Sequence, residues 1–253
     1  MQQRAPTQPG GIDISFFVPC LNEEANVAAT LDTIVEACGP ENRTYEIIVV
    51  DDHSTDRTVP VVRDYCHRFP ELPIILHCLA ETRGLGRNYL DTARRAAGRY
   101  YMLVNGDNVE PVDSIRRIIS HLGEADIIIP YFAHDRRGNC RRILSRLFTG
   151  LVNLLGGHRL RYYNGPVAHL RSNLAQCRGE TGGFAYQAEI ISTLLRRGTT
   201  YLEIEVENTD RRVGSSKAFR WKNFQGIAGS LWRIALRRIQ EGENEYSAGR
   251  RQG

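Results

Sequence analysis

EIIVVDDHSTDRT, residues 46–58, is the stretch that decides the fold. It begins with a short β-branched run, which is typical of a strand buried in a parallel sheet. Asp51 and Asp52 follow directly, where their carboxylates can accept hydrogen bonds from a nucleobase or a ribose. Ser54 or Asp56 can then cap a helix. Because ligands of α/β folds bind beyond the carboxyl ends of the strands, this acidic turn is a candidate binding site.

The same alternation of strand and helix continues on both sides of this stretch. Strands are predicted at Ile12–Val18, Tyr45–Val50, Pro73–Leu79, Tyr100–Val104 and Ala125–Pro130. Helices are predicted at Glu23–Cys38 with Asn22 as its cap, from about Ser54, at Gly86–Ala97, and from Pro111 to about Leu122. This order predicts an α/β fold with a doubly wound, mainly parallel sheet and flanking helices.

The second half of the chain is less regular. Helices are predicted at Arg141–Leu155, Phe184–Arg197 and Ala218–Gln240, and a strand at Thr200–Val206. We expect one domain over residues 12–217 and an amphipathic helix over 218–240. Residues 1–11 and 241–253 are expected to be disordered tails.

Composition is that of an ordinary globular protein, with 42% hydrophobic and 25% charged residues. There is no apolar run of 18 residues, no secretory signal and no CxxC pair among six cysteines, which favours a cytoplasmic location. Residues 1–132 carry 12 Arg against 19 acidic residues, a net charge of −7, whereas residues 133–253 carry 21 Lys or Arg against 10, a net charge of +11. Such an asymmetry suits a metal site beside an anion site, although two differently solvated surfaces explain it more simply. No nucleic-acid recognition motif accompanies the basic half, so nucleic acid is not an expected partner.

The turn Asn105-Gly106-Asp107-Asn108 follows the predicted strand Tyr100–Val104. Gly106 permits a tight turn, so that two oxygen-bearing side chains can converge on one cation. Hard divalent cations prefer such ligands and bridge diphosphate oxygens. The same residues also favour a simple polar turn, and the motif alone does not decide between the two.

Two other segments have the chemistry of anion binding. The loop DRRVGSSK, residues 210–217, places two guanidinium groups, hydroxyls and an ammonium around a glycine, and Arg141 with Ser145 on one helix face can form a second wall. A solvated basic surface is the alternative. Gly84-Leu85-Gly86 precedes a helix and offers backbone N–H groups, but a turn is its simpler explanation.

Together these segments resemble the family 2 glycosyltransferases of the GT-A fold, most closely the dolichyl-phosphate mannose synthases and other polyprenyl-phosphate glycosyltransferases. The matching blocks are VPCLNEE (18–24), EIIVVDDHSTDRT (46–58), GLGRNYLDTARRAAGRYYMLVNGDN (84–108), RRILSR (141–146), YNG (163–165), GGFAYQAEIISTLLRRG (182–198) and DRRVGSSK (210–217). Each block is weak alone, but their order and spacing are specific. The resemblance implies a nucleotide-diphospho-sugar transferase fold and transfer of a hexosyl group.

The resemblance also implies roles for individual residues. The nucleotide pocket is expected to be formed by Pro19, Asn22, Glu23, Asp51, Asp52 and Gly86. Asp107 matches the second acid of the family's Asp-x-Asp motif, which with Asn105 is expected to hold Mg²⁺ or Mn²⁺. The donor diphosphate and the acceptor phosphate are expected to contact Arg141, Ser145, Arg211, Ser216 and Lys217. Asp107, Arg211 and Lys217 are therefore the expected catalytic groups.

Two residues depart from the family pattern. Asn105 stands where the family has the first acid, and Val109 stands where it frequently has a glutamine. Losing one negative ligand should weaken metal binding, and Asn108 or Glu110 is a candidate to compensate. The chain is then either less dependent on metal than its relatives, or a member of the family that binds the nucleotide sugar without catalysing transfer.

The acceptor decides whether a base is needed. A lipid phosphate is already ionised near neutral pH, so its oxygen can attack the anomeric carbon with inversion and without a base. A sugar hydroxyl needs a general base, for which Glu189 is the candidate, unless it is a surface carboxylate of its helix. Three functions remain open: a polyprenyl-phosphate glycosyltransferase, a glycosyltransferase acting on a soluble or cell-envelope glycan, and a non-catalytic nucleotide-sugar-binding protein.

The predicted helix over residues 218–240 bears on where the chain works. Its apolar positions follow helical spacing and have basic flanks, a pattern that suits a helix lying on an anionic membrane face. The same apolar stripe can instead pack on the domain, and both can hold together. We therefore expect a cytoplasmic protein with peripheral membrane contact through this helix.

Overall fold

The computed structural model describes residues 11–132, 139–177, 185–207 and 229–236. Its strands are β1 Ile14–Cys20, β2 Tyr45–Asp51, β3 Ile74–Cys78, β4 Tyr100–Leu103, β5 Ile127–Tyr131, β6 Ala168–Leu170 and β7 Tyr201–Glu205. Its helices are α1 Val27–Cys38, α2 Thr58–Arg68, α3 Leu85–Ala93, α4 Val112–Ser120, α5 Asn139–Gly156, α6 Arg171–Leu174, α7 Tyr186–Arg196 and α8, residues 229–236, with a 3₁₀ turn at Gly39–Glu41.

The strands form one sheet in the order β3-β2-β1-β4-β6-β5-β7. β1 pairs in parallel with β2 on one side and with β4 on the other, and β6 runs antiparallel between β4 and β5. The chain thus winds outward from β1 to β3 and returns to the other side of β1. This reversal makes a topological switch point between β1 and β4, the place where open α/β sheets bind ligands. The predicted doubly wound, mainly parallel sheet is confirmed.

Successive residues of the central strands face two separate cores, as the period of a strand requires. Phe16 packs with α1, α2 and α4 on one side of the sheet, whereas Phe17 packs with α3, α5 and α7 on the other. Because both faces are covered, the strands read as continuous apolar runs. In the part of the chain that the structure describes, no helix combines the length and the hydropathy needed to cross a bilayer.

Two local features differ from the sequence predictions. Pro19 does not end β1, which continues to Cys20 with Pro19 opposite Val50. Phe17 accepts a bond from Val104 N on the β4 side, so Pro19, two residues on, also faces that side, where β4 has already ended. Because Pro19 has no N–H to donate on that side, the ladder between β1 and β4 does not continue past this point. The second difference is the segment of β6 and α6, which was not predicted because elements of three and four residues are too short to show a period.

Candidate active site

Four loops meet at the carboxyl edge of the sheet. Residues 21–26 follow β1, residues 52–57 follow β2, residues 79–84 follow β3, and residues 104–111 follow β4. The loops after β1 and β4 flank the switch point. The candidate residues Pro19, Asn22, Glu23, Asp51, Asp52, Asn105 and Asp107 all lie on these loops or at the strand ends that lead into them.

Asn22 joins the first two loops instead of capping α1. Its backbone N–H donates to Ser54 Oγ at 2.9 Å, and its side-chain Oδ1 accepts from Thr55 N at 2.8 Å. It has a left-handed φ of 56°, and α1 begins only at Val27. The predicted cap is therefore wrong, because the side chain is used across the site. Glu23 N donates to Thr58 Oγ1 at 2.8 Å and adds a second cross-link between the loops.

Asp52 organises the loop after β3. Its Oδ1 accepts hydrogen bonds from Arg83 N and from Asn88 Nδ2, both at 2.8 Å, and its Oδ2 accepts from Gly84 N at 3.0 Å. Gly84 has a φ of 89°, which side chains rarely tolerate. The carboxylate thus holds the entrance of α3, and with it the buried Gly86 of the first helical turn, in a fixed place.

Asp51 is buried at the end of β2, opposite Cys20 of β1. Its Oδ2 accepts from Ser54 N at 3.1 Å, while its Oδ1 is buried with no hydrogen-bond partner. Burial, with the negative charge of Asp51 next in importance, raises the pKa of the Cys20 thiol, which stays protonated at neutral pH. An acceptor oxygen left open at a strand end is suited to a donor group of a bound ligand.

Gly106 allows the turn after β4 to touch the end of β1. A Cβ built at this position would lie 2.8 Å from the carbonyl oxygen of Pro19 and 2.8 Å from Cys20 Sγ. Glu23 Cγ would be 3.7 Å away. The candidate metal turn and the candidate nucleotide loop are therefore in direct contact across the switch point.

Glu110 lies in the same loop after β4. From the sequence it was expected only as a candidate to compensate for Asn105. It is buried, and its Oε1 accepts from Asn105 Nδ2 at 2.7 Å. Burial first, and then the charge of Asp107, raises the pKa of Glu110 to about 8. Asn108, the other such candidate, has its Oδ1 engaged by Thr33 Oγ1 at 2.9 Å.

The donor set of this turn fits Mg²⁺ or Mn²⁺. With Nδ2 held by Glu110, the amide oxygen of Asn105 is the atom left to face a cation. Asp107 supplies a carboxylate, and Oε2 of Glu110 is a buried oxygen with no hydrogen-bond partner. Within the described ranges, three or more His, Cys, Asp or Glu side chains nowhere gather as a metal cage. Mg²⁺ commonly binds through one or two carboxylates plus substrate phosphates, so such a cage is not required.

Glu189 of α7 has a different environment from the one expected of a base. It is 2% exposed, and both of its carboxylate oxygens accept from Arg233 Nε of α8 at 3.1 Å. This ion pair fastens α8 to the domain, together with the buried Ser230 and Ile234. The pairing weakens the base prediction, because the carboxylate is occupied by a cation.

The structure describes only some of the residues predicted to contact phosphate. Ser145 is half-buried on α5, and Arg141 belongs to the same helix, although its side chain lies outside the described part. Arg211, Ser216 and Lys217 also lie outside the described residues, as do the expected tails except Gly11 and most of the predicted helix over 218–240. Their roles stay predictions.

Solved structures of similar fold bind nucleotide sugars and divalent metals. A glucosyl-3-phosphoglycerate synthase from Mycobacterium tuberculosis, in complex with Mn²⁺, uridine-diphosphate-glucose and phosphoglyceric acid, superposes with a TM-score of 0.68 at 17% identity and covers 89% of this chain and 80% of that one. A mannosyltransferase from Pyrobaculum calidifontis in complex with GDP-Man and Mn²⁺ has a TM-score of 0.67 at 19% identity and covers 94% and 68%. At these identities the likeness shows the fold, which is that of the GT-A glycosyltransferases.

Sequence comparison then gives the family. Residues 15–177 match the profile of Glycosyl transferase family 2, and the chain belongs to that family. An undecaprenyl-phosphate 4-deoxy-4-formamido-L-arabinose transferase from Edwardsiella ictaluri is 24% identical over 205 residues, and one from Pectobacterium carotovorum is 22% identical over 206. Each alignment covers 81% of this chain and 62% of the relative, so the chain spans about three fifths of the length of these relatives.

Proposed function

We propose that this chain transfers a glycosyl group from a nucleoside-diphosphate sugar to the phosphate of a polyprenyl phosphate, with inversion at the anomeric carbon. The observation that carries the proposal is the contact across the switch point. Gly106 brings the oxygen-rich turn after β4 against Pro19 and Glu23 at the end of β1. A nucleotide held by the loops after β1 and β2 would therefore have its diphosphate beside the turn that holds Asn105 and Asp107.

The proposed step balances without an added base. An ionised oxygen of the acceptor phosphate attacks the anomeric carbon, the bond from that carbon to the donor diphosphate breaks, and the nucleoside diphosphate leaves with the electron pair. A divalent cation, when bound, would neutralise charge on the leaving diphosphate. Asp107 and the amide oxygen of Asn105 would hold it, and Arg211, Ser216 and Lys217, with Arg141 and Ser145, would gather the phosphates.

The relatives and the geometry favour the lipid acceptor over a glycan. The aligned relatives are named as undecaprenyl-phosphate sugar transferases. A glycan hydroxyl would need a base, and the candidate Glu189 is engaged by Arg233. With a lipid acceptor, the chain would work as a peripheral protein at the cytoplasmic face of a membrane. A non-catalytic role would be favoured only if metal failed to bind at Asn105.

Transfer of label tests the proposal. Full-length protein is incubated with radiolabelled UDP- or GDP-sugars, Mn²⁺ and undecaprenyl phosphate, and the label is partitioned between solvent and lipid. We expect lipid-soluble label that disappears in Asp107→Ala while nucleotide binding, followed by thermal shift, is retained in part. Label in a water-soluble glycan, or binding without any turnover, would contradict the proposal.

A further inference from the structure

Two threonines of helix α1 hold the turn after β4. Thr33 Oγ1 donates to Oδ1 of Asn108 at 2.9 Å, and Thr30 Oγ1 lies 3.4 Å from the backbone carbonyl oxygen of Asn105. Asn108 also has a left-handed φ of 53°, which an asparagine tolerates better than most residues. Its amide oxygen is therefore engaged in fixing the turn, and Asn108 is a poor candidate for binding a cation.

The carboxyl group of Glu110 is satisfied at only one of its two oxygens. The residue is 9% exposed, and Oε1 accepts from Nδ2 of Asn105 at 2.7 Å. Oε2 is buried and has no hydrogen-bond partner among the described residues. Buried acceptors in native proteins are nearly always paired, with ordered water or a ligand where the protein supplies no partner. Oε2 is therefore an open position for a group that binds at this turn.

The charges of the loop favour a cation as that group. Residues 104–111 contain Asp107 and Glu110 but no Lys, Arg or His. After burial, the charge of Asp107 is the main cause that raises the pKa of Glu110, so the two carboxyl groups repel each other. A divalent cation binds such oxygens and relieves the repulsion, which neither a water molecule nor a hydroxyl group can do. The amide oxygen of Asn105 offers a third, uncharged ligand.

We propose that Glu110 is a direct ligand of the divalent cation at this turn and binds it through Oε2. Asp107 and Glu110 then supply the two negative ligands, and the amide oxygen of Asn105 supplies a neutral one. The inference rests on the proposed function, which places a metal-bound diphosphate beside the turn. Carboxylate ligands bind metal in the deprotonated form, so the cation displaces to solvent the proton that burial favours on Glu110.

A hydroxyl group at the start of α7 is the competing partner for Oε2. Burial raises the pKa of Tyr186, and the charge of Glu110 adds to the rise, so the two side chains interact. The Tyr186 hydroxyl is buried without a hydrogen-bond partner, so it does not bond Oε2 in the structure. A bond from this hydroxyl would satisfy Oε2, but it would not balance the charge of Asp107. The two possibilities differ in the effect that Tyr186→Phe should have on metal binding.

Calorimetry of Mn²⁺ binding tests the ligand role without turnover. Mn²⁺ is titrated into the full chain saturated with UDP or GDP, without acceptor, and the heat of titration into nucleotide alone is subtracted. Glu110→Gln keeps an oxygen that can accept the bond from Asn105, but it replaces Oε2 by an amide NH₂. We expect about 10- to 100-fold weaker Mn²⁺ binding in this variant, with nucleotide affinity in the absence of metal unchanged. Tyr186→Phe is the matched control and should bind Mn²⁺ as the parent does.

Two further measurements separate coordination from support of the fold. Asn105→Asp/Glu110→Gln moves the carboxylate to position 105 and should recover most of the Mn²⁺ affinity that Glu110→Gln loses. Tb³⁺ bound at the site and excited directly should show a faster luminescence decay in H₂O, relative to D₂O, in Glu110→Gln, because water replaces the lost ligand. A residue that only supported the loop would give neither the recovery nor the added water.

Parent-like Mn²⁺ affinity in Glu110→Gln would overturn the inference, as would absence of Mn²⁺ binding by the parent. Equal losses in Glu110→Gln and Tyr186→Phe would assign Oε2 to a hydrogen bond with the hydroxyl group instead of to the metal. Transfer of label to polyprenyl phosphate by the parent reports the proposed function separately. Transfer with Mn²⁺ binding that does not depend on Glu110 refutes the ligand role alone, whereas Glu110-dependent Mn²⁺ binding without transfer refutes the proposed function alone.

Discussion

Asn105 donates a hydrogen bond from its side-chain Nδ2 to Oε1 of the buried Glu110 at 2.7 Å. The amide that stands in place of the family's first acid is therefore matched by a carboxyl group five residues later. The carboxyl group missing at position 105 is present at position 110, where burial raises its pKa to about 8. This hydrogen bond satisfies one N–H of the Asn105 amide and Oε1 of Glu110, and it leaves Oε2 of Glu110 buried without a hydrogen-bond partner.

Restoring the family acid should damage the protein unless metal is present. In Asn105→Asp the donor to Glu110 is lost, and two carboxyl groups come into contact beside Asp107. We expect the free energy of unfolding without metal to fall by about 1–3 kcal/mol, and Mn²⁺ to return most of it. Urea unfolding with and without Mn²⁺ measures both effects. Asn105→Asp/Glu110→Gln is the control, which should regain stability without metal, and equal stability of Asn105→Asp and the parent would refute this explanation.

Asp52 should be needed for the shape of the loop after β3. Asp52→Asn places an amide NH₂ among three N–H donors, from Arg83, Gly84 and Asn88. We expect a loss of about 1–3 kcal/mol in the free energy of unfolding and weaker stabilisation by UDP or GDP in a thermal-shift assay.

Asp91→Asn is the matched control for that change. Asp91 pairs with Arg83 and Arg94 at the surface, where such pairs contribute about 0–1 kcal/mol. It should therefore leave nucleotide binding nearly unchanged. A nucleotide response equal to that of the parent in Asp52→Asn would show that the loop does not depend on this carboxylate.

Much of the fold could be predicted from the sequence, because strands that are buried on both faces appear as short apolar runs followed by polar turns. β2 and the position of Asp51 and Asp52 came from that pattern alone. The partners of Asp52 did not, because they are backbone N–H groups and an asparagine 31 to 36 residues away. Asn22 was assigned a local cap for the same reason, since its bond to Thr55 spans 33 residues. In the sequence Glu110 is a single acidic residue near a turn. Its importance is seen only in the structure, where it is buried and hydrogen-bonded to Asn105.

Gly106 should not tolerate a side chain. In Gly106→Ala the new Cβ would press on the backbone carbonyl of Pro19, so the turn or the end of β1 must shift. We expect reduced stability and at least tenfold weaker binding of Mn²⁺ in the presence of nucleotide, measured by calorimetry. Gly39→Ala is the control, because Gly39 has a φ of −50° and no atom within 4 Å of its added Cβ. It should be neutral or stabilising by about 0.4–1 kcal/mol. Similar behaviour of the two variants would show that the contact of the Gly106 position with the Pro19 carbonyl does not restrict the turn.

Glu189 and Arg233 should behave as a structural pair. Glu189→Gln and Arg233→Gln each break the same contact, so each should lower the free energy of unfolding by about 1–3 kcal/mol. Turnover by the folded protein should fall little, and equally in both variants. A general base would instead give a loss of 100-fold or more in kcat for Glu189→Gln alone, with a changed pH profile. Measuring kcat and unfolding for the two variants side by side separates these roles.

His169 of β6 should make the fold sensitive to acid. Burial lowers the pKa of His169 from 6.5 to about 4, although the side chain of Gln187 opposes part of this shift. The unfolded chain then binds a proton below pH 6.5 that the folded chain binds only below about pH 4, so stability falls as the pH drops through that window. The full effect is about 3 kcal/mol at 1.36 kcal/mol per pKa unit. His169→Leu removes the titrating group, and the fall in unfolding free energy between pH 6.5 and 4.5 should be smaller in this variant than in the parent. Parallel curves for the two proteins would mean that the buried imidazole is not a source of the acid sensitivity.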